Sequence, residues 1–418
     1  MQNTPIPFHI PSIGEEEIAE VVATLRSGWI TTGPRTAQFE AEFRDYIGCR
    51  HALAVNSGTA GLHLALAASD IGPGHEVITT PLTFCATVNV ILQVGATPVL
   101  ADVLPDGNID PQSIADRLSS KTRAIIPVHL GGKPCDMMAI WSLAQKHGLV
   151  VIEDAAHAAG TNYRGLPLGS SAFQSGSDAV AFSFYSTKNI TTGEGGMVVT
   201  NDSDRADRMR RLCLHGITKD AWNRYALKSN WYYEVLEVGF KYNLTDILSA
   251  IGIHQLRKIQ QLAASRRSLA ELYDAEFEEV DELERPPHSL DGEHAWHLYT
   301  IRLNLDRLSI SRDEFISELK SRDIGASVHF IPIPLHPFFA QYATLPRNRC
   351  PHALALYSRL ISLPLYPGLT EEQVKRVAAA VKTIAAAHRR RRVVAVAGKR
   401  QPRKAKPQFV QRGAGGTL

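Results

Sequence analysis

The sequence has little cysteine and no cysteine pattern. Its five cysteines, at 49, 85, 135, 213 and 350 of 418 residues, form no CxxC pair and no metal-ligand spacing. That excludes a disulfide framework and a zinc-finger type of site, and it fits reduced thiols in a cytoplasmic protein. No apolar run approaches the roughly 20 residues needed to cross a bilayer. The opening MQNTPIPFHIPSIGEEE lacks a basic segment followed by an apolar one, so no secretory signal is expected. Internal repeats are also missing. Acidic residues are absent from Arg389 onward, where ten Lys and Arg stand. Subtracting those ten from the net charge of +3 leaves −7 for the first 388 residues. The body is therefore mildly acidic, and the basic character belongs to a tail. Its Pro, Gly and like charges leave little to pack, which predicts a disordered, solvated extension. Phe409 is its one aromatic residue, which argues against a nucleic-acid partner read by base stacking.

What is present is the composition of a soluble enzyme, 44% hydrophobic and 21% charged, in a chain long enough for two or three domains. Amphipathic helices are predicted over 15–27 and 36–47. A rhythm follows: strand 51–56, helix 57–69, strand 76–81, helix 83–95, strand 97–103, helix 111–119, strand 123–130, helix 136–147 and strand 149–156. Strands 179–185 and 195–200 complete it. Alternation of this kind implies parallel crossovers in a sheet covered on both faces. A long helical stretch over 243–277 leads to a second α/β unit, with strands 296–303 and 326–330 and helices 311–323 and 370–387.

Ligands of such sheets bind beyond the carboxyl ends of the strands, and three features lie there. SGT at 57–59 opens a helix, whose free N–H groups and dipole suit a phosphate; Ser and Gly also cap helices that bind nothing. Asp154 ends a strand in VVIEDAAHAAG, with His157 three residues on; a plain helix cap and a core histidine are the alternatives. Lys188 follows the apolar run 179–184 in SFYSTKNITTGEGG. A surface position at a strand end is one reading of it. A desolvated amine able to attack a carbonyl is the other. Together a phosphate cradle, a carboxylate for a ring nitrogen and a Schiff-base lysine are the requirements of pyridoxal phosphate (PLP).

SGTAGLHLAL, PLTFCAT, EDAAHAAG, SFYSTKNITTGEGGMVVT, LHGITKDAWNRY, GFKYNLTDI and SVHFIPIPLHPFF resemble, in order, motifs of the DegT/DnrJ/EryC1/StrS family of PLP-dependent sugar-nucleotide aminotransferases. The resemblance covers roughly residues 8–388. It implies the fold type I architecture: a mostly parallel central sheet in a large PLP-binding domain (1–250), a smaller C-terminal α/β domain (251–388), then the basic tail (389–418). It also implies a homodimer with two shared sites. Lys188 then holds the cofactor as a Schiff base and moves the proton during transfer. Asp154 keeps the pyridine nitrogen protonated, His157 contacts the ring-oxygen side, and Phe84 stacks on the ring. Gly58, Thr59 and Ser183 hold the phosphate, and Asn243 reaches the cofactor of the neighbouring subunit unless it only caps a helix. Thr31, His215 and His329 are substrate candidates, and Trp222 and Tyr225 could contact the nucleotide or merely pack. The expected reaction takes nitrogen from glutamate and gives it to a nucleotide-linked keto sugar, on the resemblance a UDP-linked 4-keto sugar. A subgroup that dehydrates sugars carries histidine in place of the lysine, so Lys188 favours transamination. A sugar dehydratase, another fold type I PLP enzyme and a regulatory protein on the PLP fold are the rival readings.

Overall fold

The computed structural model describes residues 4–174, 176–218, 232–288, 292–342, 345–346 and 349–390. Trp222, Tyr225 and the basic segment 391–418 lie outside the described residues.

The first half is an α/β unit. Helices α1 (Glu15–Ser27) and α2 (Pro34–Ile47) precede strand β1 (His51–Val55) and helix α3 (Gly58–Ala68). Then come β2 (Glu76–Thr79), α4 (Ala86–Gln93), β3 (Thr97–Leu100), α5 (Pro111–Ala115), β4 (Thr122–Ile126), α6 (Met137–His147) and β5 (Val150–Asp154). A short hairpin, β6 (Asn162–Tyr163) and β7 (Leu166–Pro167), leads to β8 (Ala179–Ser183), β9 (Gly196–Thr200) and α7 (Ser203–Cys213). The seven-stranded sheet runs β1-β9-β8-β5-β4-β2-β3. Pairs among β3, β2, β4, β5 and β8 are parallel. β9 is antiparallel to β8 and β1, because the short turn at 184–195 folds the chain straight back onto its neighbour. The strands are almost fully buried, as expected for a sheet covered on both faces.

The predicted stretch 243–277 divides at Lys258 into α8 (Asp246–Arg257) and α9 (Ile259–Glu276). Thr245 is the N-cap of α8, so Asn243 does not cap it. Asp246, buried at the start of α8, caps α2, taking the N–H groups of Gly33 and Thr36 at 2.7 and 2.9 Å.

The C-terminal part contains β10 (Leu283–Glu284), β11 (Gly292–Glu293), β12 (Tyr299–Leu303), α10 (Arg312–Lys320), α11 (Pro351–Tyr357), β13 (Leu360–Leu363) and α12 (Glu371–Ala387). Its sheet, β10-β12-β13, is antiparallel, and β11 pairs with β6 of the first unit. A separate core gathers Ile6, Tyr273, Phe277, Tyr299, Phe315 and Val377. The predicted strand 326–330 is not one: its contact with the sheet is the bridge Ser327↔Ser362. Pro332 and Pro334 follow and offer no N–H to a ladder, so the chain leaves the sheet and carries His329 and Phe330 toward the first unit.

Candidate functional site

A cavity of about 470 Å³ opens at the carboxyl ends of β5 and β8. Gly58, Thr59, Phe84, Asp154, His157, Ser183, Lys188 and His329 all line it, joined by Phe8, Thr83, Glu194, His297 and Phe330. Residues as far apart in sequence as Phe8 and Phe330 therefore share one space.

At one end, α3 starts on Gly58 and Thr59. Ser57 caps it, its Oγ accepting the Ala60 N–H at 3.1 Å. Among the described residues, no acceptor takes the N–H of Gly58 or Thr59. The helix start lies hard against the sheet: a Cβ at Gly58 would stand 3.0 Å from the Ser183 Cβ and 3.3 Å from the Phe182 carbonyl. That leaves two free donors and a positive helix end facing the cavity.

Asp154 sits at the tip of β5 and is buried. Its Oδ2 accepts from Thr87 Oγ1 at 2.8 Å and its Oδ1 from the Ala156 N–H at 3.1 Å. Thr87 in turn lies 2.9 Å from Thr83 Oγ1, which can donate to it. Burial raises the carboxyl pKa, while Thr87, Ala156 and the charge of Lys188 pull it down. A cationic group entering the cavity would compensate that burial.

Lys188 follows β8 on a turn in which its own N–H donates to the Tyr185 carbonyl at 2.9 Å. Burial lowers its pKa to about 8, against the opposing charge of Asp154. His157 is held neutral: burial, then Lys188 and His329, push its pKa well below the usual value. Its Nδ1 accepts the Gly131 N–H at 3.2 Å, so its proton is on Nε2. The ring stacks on Phe330 with centroids 5.5 Å apart, and lies 4.4 Å from the ring of His297. Burial likewise lowers His329 to about 4, and its Nδ1 meets Ser362 Oγ at 2.9 Å. Phe84, 59% exposed, stands at the mouth 6.0 Å from Phe330.

Three sequence-derived candidates are elsewhere in this chain. Asn243 lines a second, polar cavity of about 370 Å³ with Thr32, Arg210 and Arg211. Its Nδ2 donates to Thr32 Oγ1 at 2.6 Å, and Lys241 donates to its Oδ1. Thr31 and His215 are exposed, and neither lines the Lys188 cavity. Conversely, Thr87, Phe8 and His297 belong to the site's surroundings without having been singled out from sequence. Thr87 stands three residues after Phe84 within PLTFCAT, where a buried threonine one turn away was a usable signal. Phe8 gives no local sign.

A sequence model of the DegT/DnrJ/EryC1/StrS aminotransferase family matches residues 11–382. Among curated proteins, the spore coat polysaccharide biosynthesis protein SpsC of Bacillus subtilis is 46% identical over 385 residues, 92% of this chain and 98% of that protein. Among solved structures, the putative sugar aminotransferase Spr1654 of Streptococcus pneumoniae, in its PMP form, superposes with a TM-score of 0.84 at 34% identity, over 91% of this chain and 99% of that one. It has also been solved in a PLP form. PseC of Helicobacter pylori, an aminotransferase involved in the biosynthesis of pseudoaminic acid, gives a TM-score of 0.84 at 31% identity, over 92% and 100% of the two chains.

Proposed function

The chain belongs to the DegT/DnrJ/EryC1/StrS aminotransferase family, and from that premise we propose that it aminates the keto carbon of a nucleotide-linked sugar with glutamate as donor. The product would be an amino sugar for a surface polysaccharide or related glycan. The single observation that carries this reading is the meeting of a desolvated lysine, a buried carboxylate and a free helix start in one cavity. The names of SpsC and PseC support the glycan setting. The UDP-linked 4-keto sugar rests on the likeness of LHGITKDAWNRY and WYYEVLEVGFKYN to members that aminate C4.

The family's cofactor is PLP, and the residues present fit it. The Gly58 and Thr59 N–H groups with the Ser183 hydroxyl would hold its phosphate. Asp154, fixed by Thr87 and the Ala156 N–H, would keep a proton on its ring nitrogen. The Nε2–H of His157 would face the ring oxygen, and Phe84 would cover the ring. Bound there, PLP supplies an electron sink for the carbon that loses or gains a proton. Lys188 would hold the cofactor covalently. As a free amine it would take a proton from the donor carbon and later return one to the sugar carbon. Glutamate leaves as its keto acid, so nitrogen transfer to the sugar is balanced by oxidation of the donor. His329 and Phe330 wall the sugar side and keep water out.

The test is spectral. Protein loaded with PLP should show a visible band, on the order of 410–430 nm, that borohydride fixes to Lys188. Glutamate should bleach the band, and one member of a panel of UDP-, GDP- and dTDP-keto sugars should restore it. A Lys188→Ala protein that still turned over would sink the proposal. Failure of every amino donor to bleach the band would favour a dehydratase or lyase instead.

A further inference from the structure

The N-terminal segment reaches the site from a distance of about 180 positions in sequence. Ile6 is locked to the C-terminal part: its N–H donates to the Asp323 carbonyl and its carbonyl accepts the Gly325 N–H, both at 2.8 Å. Farther on, the Ser12 carbonyl accepts from Gln255 Nε2 of α8 at 2.6 Å. Between these anchors, Phe8 enters the cavity wall and stacks on His329, centroids 5.4 Å apart and planes 22° apart. His9 turns the other way. Its Nε2 lies 3.1 Å from the Ser186 carbonyl, two residues before Lys188, and its ring packs edge-on against Tyr366 at 6.0 Å.

Burial, then Arg266 and Lys188, hold the pKa of His9 down to about 4, so its ring is neutral. With a carbonyl as acceptor, the ring proton is on Nε2. On the far side of the lysine turn the chain is tied independently. Asn189 Nδ2 donates to the Ala295 carbonyl at 2.7 Å, and the Thr191 N–H donates to Gln255 Oε1 of α8 at 3.2 Å. On the near side, among the described residues, the tie from outside the turn is His9.

We propose that His9 is a positioning residue for Lys188: it pins the Ser186 carbonyl, and so sets where the lysine turn lies relative to the C-terminal part that anchors Ile6. The lysine's role rests on the functional reading above. An amine that serves in turn as anchor and as proton carrier gains from a turn fixed to within a fraction of an ångström, since small misplacements are costly in rate. The tether through Ile6 also makes the lysine's position follow that of the C-terminal part.

Two substitutions separate hydrogen bonding from packing. His9→Gln keeps an N–H donor of similar reach. His9→Phe keeps the ring against Tyr366 and loses the donor, with His9→Ala as a second donor-less variant should the phenylalanine disturb folding. Amide hydrogen exchange of the 184–190 segment in cofactor-free protein is read first. His9→Phe should exchange about fivefold faster there, the equivalent of one hydrogen bond of ordinary net worth, while His9→Gln stays near the unsubstituted protein. In PLP-loaded protein, His9→Phe should shift the pH titration of the visible band and slow bleaching by glutamate, and His9→Gln should restore both. Unchanged exchange and titration in the donor-less variants would overturn the proposal, as would equal losses in His9→Gln and His9→Phe. Absence of any visible band in the unsubstituted protein would count against the functional reading, while the exchange measurement still decides for or against His9.

Discussion

At Lys188, burial and a neighbouring charge act in opposite directions, and burial wins: the pKa falls to about 8 despite Asp154. Capture of PLP needs the neutral amine. Its rate in cofactor-free protein should therefore rise about tenfold per pH unit below 8 and level off above it, as the ammonium is consumed. Linkage gives the same sign. Between about 8 and 10.5 the unfolded chain holds a proton that the folded one has released, so folding stability from this group increases with pH across that window. Thermal melts of cofactor-free protein against Lys188→Met isolate it, because the variant lacks that slope. Asp154 offers a second measurement. Thr87 Oγ1 donates to its carboxylate inside the core. Thr87→Val should weaken PLP affinity roughly tenfold, as expected for a lost hydrogen bond to a charged group. Thr87→Ser should recover most of it. Equal affinity in the valine variant would show that Asp154 needs no such support.

At the scale of elements, the start of α3 is placed by contact rather than by capping alone. Gly58 lies against Ser183 and Phe182 of β8, and a Cβ at Gly196 would stand 2.7 Å from the Gly58 N and the Phe182 carbonyl. Gly58→Val should push the helix start off the sheet and lower PLP affinity about tenfold or more, since overpacking costs of order 1–3 kcal/mol. Far-UV circular dichroism should be nearly unchanged; an unaltered affinity would mean that the cradle tolerates displacement. The same region shows what sequence can reveal. Strands 51–56, 149–156 and 179–185 are short apolar runs closed by polar residues, so Ser57, Asp154 and Lys188 stand out at their ends. The direction of β9 leaves no trace in such a pattern, because a buried strand reads alike in either direction. SVHF has the β-branched and aromatic content of a strand, yet the prolines after it and the exit toward the cavity prevail. The break of 243–277 at Lys258 and the contact of Phe8 and His9 with the site depend on residues far away in sequence. The helical period and local spacing carry neither.

At the scale of the whole molecule, one chain does not gather every residue the family likeness names. Asn243 lies in its own polar cavity beside Thr32. Helix α1 leaves Ile18, Val22 and Leu25 exposed, and Leu236 and Val238 are exposed as well. Apolar exposure of this extent is what a second copy would cover. If Asn243 completes the site of a partner subunit, two crippled proteins should rescue each other. Lys188→Ala and Asn243→Ala homodimers would each be impaired. After unfolding together and refolding at equal concentrations, half of the dimers would be mixed, and each mixed dimer would hold one site with both native residues. About a quarter of the native activity should return, on the isologous geometry of a two-fold dimer. If Asn243 instead serves the site of its own chain, the mixed dimer holds one site lacking Lys188 and one lacking Asn243. The mixture would then show no more than the mean of its two parents. The extent and rate of bleaching of the visible band by glutamate before and after mixing, with the dimer verified by sedimentation, distinguish the two arrangements without any assumption about which sugar is aminated.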